Sequence, residues 1–348
     1  MRIAIVSDAW APQLNGVVRT LTRTVEMLRA RGHEVETVTP DGFATIPCPS
    51  YPEIRLALGA RGKVARRLSA FGPEAVHIVT EGPLGWAARR WCLDNGRPFT
   101  TSFHTRFADY LAARTRLPAG LFWPALVRFH RPAARTFAAT ATLEAELRGR
   151  GIVRTHRWSR GVDLAQFTPD APPLPEMAAL AAPIQLYVGR VAVEKNIEAF
   201  LAADAPGTKV VVGDGPAREA LARRFPQARF LGALSGARLA GAYAGADVLV
   251  FPSRTDTFGL VMIEAMACGT PVAGYPVPGP LDILGELATD ADGRRIGAVS
   301  HDLSAAILLA LQGDRAACVT LAQGYDWARC CDQFEAGLEP YGRVRAAA

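Results

Sequence analysis

Residues 247–274, DVLVFPSRTDTFGLVMIEAMACGTPVAG, constrain the fold more tightly than any other stretch of the chain. Residues 247–251 form a short β-branched run with no polar alternation, the pattern of a parallel strand buried on both faces. A polar loop, 252–256, follows, and Thr257 is the expected N-cap of a helix over 258–268. Gly269 and Pro271 end that helix before a second strand-like run. A helix apolar on every side is stable only inside a layered domain, so the expectation is an α/β fold with helices covering a parallel sheet.

Glu264 is the only charged residue between Phe258 and Gly269. A carboxylate placed indoors is costly unless a polar group meets it. It either caps a neighbouring loop or faces a ligand. Asp256 stands just ahead of the helix, about two turns away and on the order of 10 Å distant at 1.5 Å per residue. Between the two carboxylates lie the helix-entry N–H groups of Phe258, Gly259 and Leu260, which suit an anion. Gly259 would let a ligand approach the backbone closely. An acid, an anion cradle and a second acid match a sugar, a diphosphate and a ribose in a row.

The 348 residues suffice for two domains, with the hydrophobic and charged content of a globular protein. No run approaches the roughly 18 apolar residues of a membrane span. The N-terminus, MRIAIVSDAW, reads as a strand running into an acidic loop rather than a signal peptide, so a cytoplasmic protein is expected. Six cysteines without metal-ligand spacing suggest reduced thiols. The net charge of +6 is spread over many helices with no aromatic–basic nucleic-acid module, which disfavours nucleic acid as a partner. Only three of the basic residues other than histidine are lysines: Lys63, Lys195 and Lys209.

Along the chain, strand-like 2–7, a loop, Gly16, a helix over 17–31 and a strand at 34–39 form a βαβ unit. It lacks the G-x-G-x-x-G of a dinucleotide site, so hydride chemistry is not expected. Gly16 is an ordinary helix-entry glycine or a point of phosphate approach. Residues 40–62 read as irregular and Pro-rich. SFHTRF (102–107) places His104 at the carboxyl tip of a strand over 98–102, where open α/β sheets bind ligands. Residues 106–137 read as helical, with Arg106, Tyr110, Arg114, Arg116, Phe122, Trp123, Arg128, Phe129 and Arg131. Together with Arg61, Lys63, Arg66 and Arg67 they form either a basic, aromatic-edged surface for anionic lipid or solvated arginines over core aromatics. Residues 168–183 (TPDAPPLPEMAALAAP) look like a linker. A second α/β series runs from 184, and a ligand crevice between the two halves is the default expectation.

GRVAVEKN (189–196) puts Arg190 and Lys195 at the carboxyl end of the second half's first strand, two cations suited to a diphosphate. With DAWAPQLNGVVRT, SFHTRF, SRGVDLAQF, VVGDGP and SRTDTFGLVMIEAMACGTPVAG in the same order, the chain resembles the retaining GT-B glycosyltransferases of family 4 over nearly its whole length. The resemblance implies two Rossmann-like domains facing across a cleft: 1–167 for the acceptor, a linker at 168–183 and 184–324 for the nucleotide sugar. A closing helix in 325–348 (YDWARCCDQF) would cross back to the first domain. It also implies Arg190 and Lys195 on the donor diphosphate, Asp256 on the sugar hydroxyls, Glu264 on the ribose, Gly16 in the first loop and His104 beside the acceptor and donor sugar. Asp256 departs from the family's usual glutamate and is shorter by one methylene.

The subgroup most resembled is that of GDP-mannose-dependent α-mannosyltransferases, with UDP-dependent lipid glucosyl- and sulfoquinovosyltransferases nearby. The implied reaction moves a hexose to an acceptor hydroxyl with retention, attack coming from the front face with help from the leaving phosphate. A lipid or glycan acceptor at the inner face of the membrane is expected, with possible peripheral contact with anionic lipid. No cofactor or metal is expected beyond the donor, since side chains carry the charge, and Asp290-Ala-Asp292 reads as a turn. A nucleotide-sugar 2-epimerase and a non-catalytic nucleotide-sugar-binding protein are the alternatives; the first would convert donor without acceptor, and the second would release no diphosphate.

Overall fold

Along the first strand, Ile3 and Ile5 enter one hydrophobic cluster while Ala4 and Val6 enter another. This two-residue alternation places strand β1 (Arg2–Val6) between two helical layers. The computed structural model describes residues 1–342 except 14, 49, 50, 105, 109–111, 113, 114 and 116, and only the backbone of 51–54. It divides into two units, Met1–Arg160 with the chain from Trp327 onward, and Gly161–Asp326.

The first unit contains β1, β2 (Glu34–Val38), the pair β3 (Thr45–Cys48) and β4 (Tyr51–Ala57), then β5 (Ala75–Ile78), β6 (Thr100–Ser102), β7 (Arg135–Ala138) and β8 (Thr155–Arg157). Its parallel sheet has the order β2-β1-β5-β6-β7-β8. On one face, helices Gly16–Ala30 and Trp327–Gly337 pack through Leu21, Val25, Leu28 and Phe334. On the other face, helices Ala60–Phe71 and Pro83–Asp94 contribute Val64, Leu68, Leu84 and Trp91. Gly337 is required here: a Cβ would stand 2.3 Å from the Phe137 ring.

Two expectations fail in this unit. Residues 40–62 are not irregular, because β3 and β4 pair antiparallel, Thr45 opposite Ala57. Nor is 106–137 one helix. Ala119–Leu121 is a 3₁₀ turn, Trp123–His130 a short helix, and β7 follows. Prolines divide the segment: Pro118 precedes the turn, Pro124 lies in the first turn of the helix and Pro132 follows its end. Tyr110, Arg114 and Arg116 lie outside the described residues. Trp123 and Phe129 are core residues, whereas Arg128 and Arg131 are exposed.

The second unit contains β9 (Ile184–Val188), β10 (Thr208–Val212), β11 (Arg229–Gly232), β12 (Val248–Phe251), β13 (Val272–Gly274) and β14 (Gly297–Val299). The order β11-β10-β9-β12-β13-β14 is the 3-2-1-4-5-6 arrangement of a Rossmann sheet. Leu186 of β9 pairs with Val210 on one side and Leu249 on the other. The strand order therefore reverses between β9 and β12, where such sheets bind ligands beyond the strand ends. Residues 168–183 are packed rather than a free linker: Ala171, Leu174 and Met177 are buried and Leu174 N–H donates to Gly241 O. All six cysteines are free thiols. Asp290 accepts from the N–H groups of Asp292 and Arg294, forming the turn expected there.

Candidate functional site

Three turns meet at the carboxyl ends of β9, β10 and β12. The first, 189–196, ends at Asn196, whose φ of 55° is left-handed, a conformation Asn tolerates better than most residues. Asn196 Nδ2 donates to Pro252 O at 3.1 Å and so joins the first turn to the loop after β12. The second, GDGP, is pressed onto the first: a Cβ at Gly213 would lie 1.8 Å from Gly189 O, and one at Gly215 would lie 2.4 Å from Val191 O. Both glycines also have positive φ, 141° and 153°.

Lys195 and Asp256 come together here, Nζ to Oδ1 at 2.5 Å, with both side chains mostly covered. Tyr187, on β9, donates its hydroxyl to Arg190 O at 2.9 Å. Burial, then the nearby Asp256 and Glu194 carboxylates, push the Tyr187 phenol well above its ordinary range. It remains a neutral donor that fixes the backbone carrying Arg190.

The helix after β12 begins at Leu260, not Phe258, and its N-cap is Gly259 rather than Thr257. Gly259 has φ +93°, and a Cβ there would stand 2.8 Å from both the Phe251 ring and the Met262 methyl. Its missing side chain therefore admits neighbouring protein atoms, a role expected instead for a ligand. Phe258 is buried against Tyr325, ring centroids 5.9 Å apart, and the loop carbonyls of Asp256 and Phe258 lie against Gly279. The first N–H groups of a helix, here from Leu260 onward, have no intrahelical acceptor.

Glu264 is 2% exposed and accepts from the Tyr243 hydroxyl at 2.8 Å. The buried carboxylate therefore has a protein partner on helix Gly236–Ala244.

Gly16 and His104 belong to the first unit. Gly16 is the first residue of its helix, behind Asn15, whose side chain accepts from Val18 N–H. His104 Nδ1 lies 3.0 Å from Arg160 Nη2. A guanidinium can only donate, so Nδ1 accepts and the ring proton sits on Nε2. Burial and the Arg160 charge hold the imidazole well below its ordinary pKa, so it is neutral. Burial also lowers Arg160, to about 10.

Sequence reasoning missed Tyr187, Asn196 and Arg160 as parts of these sites. A left-handed Asn closing a turn was readable; the other two depend on which strands are neighbours. Asp8 was missed as well: it accepts from Leu84 N–H, Gly85 N–H and Thr80 Oγ1, capping helix Pro83–Asp94 from the end of the neighbouring strand.

The family model "Glycosyltransferase Family 4" matches residues 14–166, and "Glycosyl transferases group 1" matches 182–312. A GDP-mannose-dependent alpha-mannosyltransferase of Mycolicibacterium smegmatis is 34% identical over 320 residues, covering 84% of this chain and 85% of that protein. The sulfoquinovosyl transferase SQD2 of Arabidopsis thaliana is 30% identical, covering 78% of this chain and 59% of that one. Among solved structures, the sucrose-phosphate synthase of Thermosynechococcus elongatus superposes with a TM-score of 0.72 at 24% identity, covering 96% and 97% of the two chains, a likeness of fold. On the evidence of both family models and the mycobacterial relative, the chain belongs to glycosyltransferase family 4, has the GT-B class of fold and is a hexosyltransferase.

Proposed function

We propose that the protein transfers mannose from GDP-mannose, with retention, to the hydroxyl of a glycolipid or lipid acceptor. The observation that carries the proposal is the Lys195–Asp256 contact at the β9/β12 reversal, in a chain 34% identical to a GDP-mannose-dependent enzyme. Lys195 and Arg190 would neutralise the departing diphosphate, with the Phe258, Gly259 and Leu260 amides adding N–H donors. Asp256 would hold donor-sugar hydroxyls, Thr257 would line the same loop, and Glu264 would reach the ribose. His104, with its proton on Nε2, would donate to a sugar oxygen, and Gly16 would leave room in the first loop.

The bond from the anomeric carbon to the diphosphate oxygen breaks, and the acceptor oxygen bonds to that carbon from the same face. The acceptor proton passes to the departing phosphoryl oxygen. With two side-chain cations on the diphosphate, the proposed reaction uses no metal and survives EDTA. The acceptor would be met at the inner face of the cell membrane. No single helix among the described residues is long and apolar enough to cross a membrane, and the charge of +6 favours an anionic leaflet.

A panel of GDP- and UDP-sugars with lipid acceptors, each product's anomeric configuration read by NMR, tests the proposal. GDP-mannose should give an α-mannoside and free GDP with EDTA present. Turnover of a UDP-sugar alone would replace the donor assignment, and donor conversion without acceptor would replace the reaction.

A further inference from the structure

Beside the short helix Trp123–His130, the first unit has an open cavity of about 920 Å³. Its lining includes Arg89, Arg128, Arg131, Arg150 and Trp123 and, among the described residues, no acidic one. Arg89 donates to Phe129 O and Arg128 O at the carboxyl end of that helix, from 3.0 and 2.8 Å. A helix C-terminus carries only about half a negative charge, which one guanidinium already answers. Arg128 and Arg131 are exposed and make no ion pair among the described residues. Arg150 stacks on Trp123 at 3.9 Å and reaches Glu146, a carboxylate shared with Arg106.

The cavity therefore holds more guanidinium charge than the described residues neutralise. Arg89 is held below its ordinary pKa, by burial and then by Arg128, as crowding of like charges requires. Planar forks arranged around a concave surface suit the oxygens of a phosphoryl group. The volume exceeds a bare phosphate and lies within the range of small-molecule sites. Leu121, 63% exposed, follows lining residue Gly120 in the chain and offers apolar surface beside the charge.

We propose that this pocket binds a phosphoryl anion, either the phosphodiester of a lipid headgroup or a soluble phosphate ester, at a site separate from the residues assigned to the donor. Its lipid arm deepens the membrane acceptor in the proposed function; its soluble arm is independent of it. Charge at a leaflet adds roughly fivefold to partition per arginine, so removing two should weaken it about thirtyfold.

The test compares the full chain with Arg128→Ala/Arg131→Ala and with Arg131→Ala alone, each checked for folding by circular dichroism. Flotation with phosphatidylcholine vesicles, with and without phosphatidylglycerol, reads the lipid arm, and thermal shift with inorganic phosphate reads the soluble arm. Phosphatidylglycerol-dependent flotation about thirtyfold weaker in the double variant supports a lipid source. A phosphate shift lost in the double variant without flotation supports a soluble one. Binding absent in the wild type, or unchanged in both variants, overturns the proposal. Lys195→Ala should keep both signals while losing donor turnover, so the pocket and the donor site can fail separately.

Discussion

Lys195 and Asp256 hold each other at 2.5 Å, across 61 residues of sequence, at the ends of neighbouring strands. The cation proposed for the diphosphate and the acid proposed for the sugar are thus positioned by one ion pair before a donor arrives. On the proposed roles, donor binding would divide the pair, the ammonium turning to phosphate and the carboxylate to hydroxyls.

Lys195→Ala removes one of the charges proposed to face the leaving group. Loss of one such donor costs about 2.7–4 kcal/mol of barrier, a hundred- to thousandfold fall in kcat. Both side chains of the pair keep some contact with solvent, so the melting temperature should hardly change. Turnover near the wild-type rate in a folded Lys195→Ala protein would remove the diphosphate assignment.

Asp256→Ala separates the two partners differently. GDP alone should bind as well or better, because Lys195 is freed, while GDP-mannose turnover falls sharply. Calorimetry with GDP and with GDP-mannose measures the difference. Equal loss of affinity for both would assign Asp256 to holding Lys195 rather than to the sugar.

Tyr243→Phe leaves the buried Glu264 without the hydroxyl that donates to it. Hydrogen bonds to charged groups contribute about 1.5–3 kcal/mol, and the denaturation midpoint should fall accordingly. A midpoint within experimental error of wild type would mean that other groups satisfy Glu264.

Two histidines set an acid limit on stability. His77 is fully buried between Thr100 and Ser102 hydroxyls, and burial holds it at about 3; His104 is also held low. The unfolded chain takes up these protons below about pH 6.5 and the folded chain does not, so stability is full above that pH and falls below it. Each contributes a slope of about 1.4 kcal/mol per pH unit until its folded pKa is reached. His77→Gln should flatten part of the decline between pH 6 and 4 in urea titrations. An unaltered slope would mean that other groups govern acid unfolding.

The αβ reading of 247–274 was legible because β-branched and apolar runs have few other uses, and Glu264 was legible because nothing else charged shares its helix. Its partner was not, since Tyr243 lies on another helix, and the Gly259 cap was hidden by a Thr that fits the usual capping pattern. The proline-divided 106–137 segment misled for a related reason: its composition favours helix while its prolines set where helix can exist.

Local sequence, then, determined most of the parallel strands, the presence of the helices that cover them and the family, because periodicity, glycine and charge act over a few residues. The tertiary structure alone decided that β9 lies beside β12, and with it the Lys195–Asp256 pair, the Tyr187 brace on Arg190 and the Arg160 hydrogen bond that fixes the His104 proton. Those contacts join residues far apart in the chain, and only strand order and close packing bring them within hydrogen-bond reach.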